Sequence, residues 1–272
     1  MAESRHAVLP QPTIDIQAIG MVPARPVPDR YRGVWQRTLL TAGNLRDTSS
    51  AVFWMQTSLW HADIRIPTAA RPVLADPTEQ LSSQQGFCGI TQIETVGQLE
   101  QCAWHHQFSV QPPQATPDVG WMAFETHDRL IETGVHTPYL EVWERLPESV
   151  GRYVVLAGID GQGNDNGVRL LVAGRYLMLA KPRKLPWPHC VTLADSLASV
   201  ITRYPQQMAA LLQCEISFGT FDGQTWAIQQ STLPSMEGQT NQMQLERTSE
   251  HIAHLLGDTE NTLWQIIEWS AP

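Results

Sequence analysis

Lysine and arginine are in short supply in this chain. Its 18 basic residues face 27 acidic ones over 272 positions, a formal charge of −9, so the electrostatic attraction that dominates nucleic-acid binding would be repulsive overall. Nucleic acid is not an expected partner. Cysteine is sparse too. Cys88, Cys102, Cys190 and Cys214 form no CxxC pair and are too few for a disulfide scaffold of this size, which leaves them as reduced thiols used as small apolar residues. No stretch of about eighteen apolar residues is present, as a membrane-spanning helix needs, and the first residues lack the charged, apolar, small-residue succession of a secretory signal. A cytoplasmic protein without membrane contact is expected.

Catalytic signatures are missing as well. There is no HExxH, no Walker loop and no nucleophile elbow, and the glycines of "GIDGQGNDNG" are followed by "VRLLVAG", a strand pattern, where a dinucleotide fold needs a helix. That glycine run reads as a hairpin loop. His251 and His254 could share a helix face and hold a metal, but surface histidines are the better reading. No cofactor and no metal are expected.

What the chain does have is a series of short apolar runs, rich in aromatic and β-branched residues and bounded by Gly, Pro, Asn or Asp, among them "AVFWMQT", "CAWHHQFSV", "GWMAFET", "YVVLAGI" and "TWAIQQSTL". Such runs predict a mainly antiparallel β protein. Residues 1–30 hold Pro10, Pro12, Pro23, Pro26 and Pro28 with no sustained period and read as an extended leader, with domain structure starting near Tyr31. One helix is expected between Thr192 and Leu212, where Leu193, Leu197, Val200, Ile201 and Tyr204 recur at helical spacing and Pro205 should kink or end it. A second short helix could start at Ser249.

Two halves of the chain resemble one another. Gly33-Val34-Trp35 aligns with Gly151-Arg152-Tyr153; Trp54 and Trp60 are six apart, as are Leu170 and Tyr176; Phe87 and Gly89 answer Phe218 and Gly219. Trp104, Ser109 and Pro112 match Trp226, Ser231 and Pro234 at identical offsets, and Trp143 matches Trp269. Residues 31–147 and 151–272 are thus expected to be two copies of one β unit, the second with the helix as its own insertion. Units of this length remove exposed edges by closing into barrels; two sandwiches are the alternative.

The motifs "GVWQRTLL", "DTSSAVFWMQT", "DIRIP", "GFCGIT" and "IETGVHTPYLEVWERL" resemble the Hri family of fungal and bacterial proteins. The resemblance is good over residues 31–147 and extends to the second half only through the weaker repeat. It implies two tandem lipocalin-like antiparallel β-barrels with one or two short helices, and a bacterial source. The family has no settled biochemical function, so the resemblance assigns no residue a role.

Candidate site residues come from side-chain alternation. Asp63 and Arg65 share one face of a strand and Ile64 and Ile66 the other. With the isoleucines packed outward, Arg65 enters the lumen and needs an anion, because a buried unpaired charge is very costly. Glu132, Glu141 or a ligand carboxylate could supply it. His105 and His106 lie on opposite faces, so at most one can enter the barrel. Trp35, Trp54 and Trp104 could form an apolar wall, with Gln56, His136 and Tyr139 as polar ligand contacts. The first copy is much the richer in titratable groups.

Three functions follow. A small amphipathic or anionic ligand could bind in the first barrel, with Arg65 at its anionic end. Alternatively, His105 or His106 could act with Glu132 or Glu141 as the acid–base pair of a metal-free lyase, isomerase or hydrolase. Third, the outer faces could serve as a protein scaffold. The sequence also allows a homodimer, with the second barrel as structural or oligomerising partner.

Overall fold

The structure is a computed structural model that describes residues 25–67, 77–256 and 263–270. It is a mainly β protein of two barrel-like sheets. The first consists of β1 (Gly33–Ala42), β2 (Leu45–Asp47), β3 (Ala51–Gln56), β4 (Trp60–Ile66), β5 (Gln85–Val96), β6 (Leu99–Ser109), β7 (Val119–Thr126), β8 (Arg129–Gly134) and β9 (Leu140–Arg145). The strands are antiparallel, and β1 returns to pair with β9, which closes the sheet. Closure removes the unpaired edges that an open sheet would expose.

The second sheet comprises β10 (Tyr153–Ile159), β11 (Asp165–Ala173), β12 (Tyr176–Lys181), β13 (Glu215–Phe221), β14 (Thr225–Ser231), β15 (Thr240–Gln242), β16 (Gln244–Arg247), β17 (Ile252–Leu256) and β18 (Leu263–Ser270). Here β10 pairs with β18, while β15 bonds only β14 and β16 only β17. One strand split at Met243 therefore serves both neighbours, and the barrel is nearly closed.

Strand alternation builds three cores. Trp35, Val52, Trp54, Phe87, Cys102, Trp104, Met122, Leu130 and Trp143 fill the first barrel. Val154, Leu156, Leu170, Val172, Leu177, Phe221, Trp226, Ile228 and Trp264 fill the second. Between them, the outward face of β3 and β4 (Met55, Trp60, Ala62, Ile64, Ile66) packs on Tyr153, Val155, Leu171, Tyr176, Met178, Ile216 and Phe218, with Phe53 stacked on Phe218 at 4.4 Å. The isoleucines do pack outward, against the partner barrel.

The helices depart from expectation in three ways. The predicted 192–212 helix is reduced to α2 (Leu197–Arg203), started by a capping box of Ser196 and Ser199, and α3 (Met208–Leu211), with a 3₁₀ turn at Pro205–Gln207 where proline removes a backbone donor. An insertion at this place is not unique to the second copy, because α1 (Pro77–Ser83) lies between β4 and β5 as α2 and α3 lie between β12 and β13. The helix expected after Ser249 is strand β17, paired to both β16 and β18; barrel closure overrides a short stretch of helical spacing. Residues 1–24 of the expected leader lie outside the described residues. Packing starts before Tyr31, since Val27 is buried in the first barrel's core and donates its N–H to Ser58 O at 2.7 Å.

The strand registers make the repeat exact enough to correct. His61 pairs with Gly89 and Gly89 with His106; Leu177 pairs with Gly219 and Gly219 with Ile228. A β-bulge falls at each glycine, and a Cβ there would lie 1.9 Å from His105 O or Ala227 O. Trp54 and Trp60 match Leu170 and Tyr176, and Trp104 and Ser109 match Trp226 and Ser231. Three other matches slip, however. By register Trp35 answers Leu156 and not Tyr153, Trp143 answers Trp264 and not Trp269, and Phe87 answers Ser217 and not Phe218.

Candidate ligand cavity of the first barrel

A cavity of about 420 Å³ opens at one end of the first barrel. Its wall carries Arg37 of β1, Asp47 at the end of β2, Arg65 of β4, Gln85 of β5, Asp118 just ahead of β7, Glu132 of β8, Glu141 of β9 and Tyr139 ahead of β9. Below it the lumen is solid. Trp54 lies within 6.4 Å of Trp35, 5.5 Å of Trp104 and 5.9 Å of Trp143, ring centre to ring centre. Trp35, Trp54, Trp104 and Gln56, expected to touch a ligand, are buried in this plug and do not line the cavity. Four indoles are too bulky to leave a wall beside a hollow. His136 is exposed on the rim loop and also does not line it, although Thr137 and Pro138 do.

Arg65 enters the lumen as alternation requires, but its anion is neither Glu132 nor Glu141. Its Nε donates to Asp63 Oδ1 at 2.7 Å, its Nη2 reaches Asp63 Oδ2 at 3.4 Å, and its guanidinium lies 5.1 Å over the Phe87 ring. Asp63 is 1% exposed. Burial pushes its carboxyl up, against the pull of Arg65; the short two-point contact is that of an ion pair. Glu141 instead belongs to Arg37, which donates to it at 2.6 Å and to Asp47 at 3.0 Å.

Glu132 has no such cation among the described residues. Tyr139 OH donates to its Oε1 at 2.6 Å and Trp143 Nε1 to its Oε2 at 3.0 Å, with Glu141 directly opposite in the strand register. Burial, reinforced by the charge of Glu141, pushes the Glu132 carboxyl from its ordinary 4.5 up to about 8. Two glycines make room for this arrangement. A Cβ at Gly120 would lie 2.8 Å from Glu132 Cγ, and one at Gly134 would lie 2.6 Å from the Tyr139 ring.

The two neighbouring histidines do divide between faces. His106 stacks on Phe87 at 3.9 Å with its Nε2 3.1 Å from Asp118 Oδ2, while His105 faces the other way, to Gln92 Oε1 at 3.1 Å, and burial lowers its pKa. A third histidine points inward by the same alternation as Asp63 and Arg65, although no site role was expected of it. His61 is wholly buried, with Thr91 Oγ1 3.0 Å from its Nδ1. Because the Thr91 hydroxyl donates to Gln56 Oε1 at 2.7 Å, Nδ1 must carry the proton, and Nε2 keeps a lone pair with no partner. Burial, with His106 nearby, holds the ring neutral. Its position on the Asp63–Arg65 face was the available signal. Among the described residues no three His, Cys, Asp or Glu side chains converge as metal ligands, and no helix is long and apolar enough to cross a membrane. Cys88, Cys102 and Cys214 are buried free thiols, Cys190 an exposed one.

The register places an apolar residue of the second barrel at each of these polar positions. His61, Asp63, Thr91, His106 and Glu132 answer Leu177, Leu179, Phe221, Ile228 and Leu255 in turn.

No family model and no curated protein matches the chain. Among solved structures it is similar to the crystal structure of an uncharacterized protein from Saccharomyces cerevisiae, at 11% identity and a TM-score of 0.51, over 88% of this chain and 99% of that one. At this identity the likeness concerns the fold alone.

Proposed function

We propose that the first barrel binds a small organic molecule in its mouth cavity and that the second barrel is a packed structural partner. The observation that carries this reading is the replacement of five inward polar groups of the first copy, His61, Asp63, Thr91, His106 and Glu132, by apolar residues in the second, although Arg65 answers Lys181. A barrel that needed only to fold could have used the second copy's solution twice, because burying carboxylates and neutral histidines costs stability. A volume of about 420 Å³ lies in the range of small-molecule sites. Native mass spectrometry of freshly purified protein is the test: a small molecule that is retained gently and released on denaturation is expected, and a bare chain that also binds nothing from a chemically diverse fragment set would refute the reading.

A second reading is favoured by one feature. Glu132 and Glu141 are cross-strand neighbours in different surroundings, one beside neutral donors and raised to about 8, the other on Arg37, and such a pair can divide acid and base roles. Conversion of a bound molecule by the wild type, lost in Glu132→Gln, would make the protein an enzyme. The two-barrel fold also accords with our proposal, made on the motifs of residues 31–147, that the chain belongs to the Hri family.

A further inference from the structure

We propose that the occupant of the first barrel's cavity is an organic cation, an amine or guanidine, seated against Glu132 and Asp118. This inference rests on the ligand-binding reading above and gives the ligand its charge. It replaces the anionic ligand that Arg65 suggested from sequence.

The argument is one of pairing. Four carboxylates line the cavity, Asp47, Asp118, Glu132 and Glu141, against two guanidiniums, Arg37 and Arg65. Both guanidiniums are engaged. Arg37 spans Asp47 and Glu141, and Arg65 is held by Asp63 from just beneath the wall. An anion drawn to either guanidinium would enter a space lined by four carboxylates, two of them, Asp118 and Glu132, with no guanidinium in direct contact. Among the described residues Glu132, 3% exposed, is hydrogen-bonded only by the neutral donors Tyr139 OH and Trp143 Nε1–H, and Asp118 by His106, with Arg65 acting on both carboxylates without direct contact. A buried carboxylate opposed by another carboxylate is poorly solvated by two neutral donors, and a cation arriving in the adjoining space supplies what is missing. The site is a walled space and not a bare acidic patch: Leu40, Ala42, Pro67 and Pro138 give it apolar surface for a short carbon chain.

Three probes of equal length and different charge decide the matter: hexylamine, hexan-1-ol and hexanoate, titrated calorimetrically into the full chain after denaturing extraction and refolding have removed any co-purified molecule. Hexylamine is expected to bind, hexanol at least tenfold more weakly, and hexanoate not at all. Glu132→Gln should weaken hexylamine at least tenfold and leave hexanol unchanged. A pH profile adds a readout that a merely structural role would not move. Glu132 faces Tyr139 and Glu141, Asp118 with His106, and Arg65; since it must lose its proton to pair with the amine, hexylamine affinity should rise about 25-fold from pH 6.5 to 8.5, given a carboxyl at about 8, and should lose that rise in Glu132→Gln. Equal or better binding of hexanol or hexanoate overturns the cation assignment and leaves ligand binding standing. If none of the three binds and extraction released no small molecule, both fail. An acid among the extracted molecules would also overturn the assignment; a base would support it.

Discussion

Glu132→Gln is the sharpest test of the electrostatics, because it changes one buried proton equilibrium with little change of shape. The amide can still accept from Trp143 Nε1 through its oxygen, and the Tyr139 hydroxyl can rotate to accept from its nitrogen, so the two hydrogen bonds at 3.0 and 2.6 Å need not be lost. What disappears is the ionisation. A carboxyl raised from 4.5 to about 8 binds its proton more tightly folded than unfolded. Its effect on stability is nil below the unfolded value, becomes more unfavourable as pH rises between the two, and levels off above about 8 at a cost of about 5 kcal/mol. Between pH 6.5 and 8.5 the wild type should therefore lose about 2 kcal/mol through this group. Glu132→Gln should lack that loss and be the more stable protein at pH 8.5. Urea unfolding at the two pH values, followed by tryptophan fluorescence, measures both quantities. Equal pH dependence in wild type and variant, within about 0.5 kcal/mol, would show that Glu132 is ionised throughout and would remove the basis for its raised pKa.

Arg65→Met should destabilise by about 3 to 5 kcal/mol, because it strands the buried Asp63 carboxylate, and adding Asp63→Asn should recover much of that in chemical denaturation; an additive double mutant would mean that the two groups do not act as a pair. Gly89→Ala and Gly219→Ala each force a Cβ to 1.9 Å from a backbone carbonyl and should both cost several kcal/mol or prevent soluble expression, whereas Gly161→Ala, which meets nothing, should change stability by less than about 0.5 kcal/mol. Elemental analysis after dialysis against chelator should find no stoichiometric zinc or iron; about one metal per chain would return attention to His61, His106 and Asp118.

Strand alternation made much of this readable in advance. The Ile64 and Ile66 face, the inward turn of Arg65, and the split between His105 and His106 follow from a period of two and need only the assumption that one face is dry. Which group meets which across a lumen does not follow from it. Arg65 takes Asp63, two residues away on its own strand face, because that carboxylate is the nearest one buried with it, and Glu141 is already held by Arg37, a residue with no distinguishing sequence context. Similar reasoning accounts for the tryptophans. Their inward direction was legible at Trp35, Trp54 and Trp104, but only side-chain volume summed across several strands decides whether four indoles leave a wall or a plug. The repeat held at Trp54, Trp60, Trp104 and Ser109, and slipped by three residues at Tyr153, five at Trp269 and one at Phe218, because a match of residue type alone carries no register where hairpin lengths differ between the copies.

The division of labour between the barrels follows from where stability is supplied. Inward polar residues weaken the first barrel, yet its outward face contributes Trp60, Ile64 and Ile66 to a core shared with Tyr153, Val155 and Ile216, so the first barrel's fold is held from outside as well as within. Even a fully buried charge is accommodated there: Arg169 makes a two-point pair with Asp165 at 2.6 and 2.7 Å and lies 4.6 Å over the Trp60 ring. The second barrel fills most of its lumen with apolar side chains and so supplies stability that the first gives up. A barrel backed by a filled copy can keep Glu132, Asp63 and His61 inside and still fold. This ordering can be measured. Stepwise unfolding or hydrogen exchange should find the β10–β14 amides among the best protected of the molecule and the β7–β9 amides, around the cavity, among the first to open; the reverse order would mean that the polar lumen is the stable half and that the second barrel does not support it.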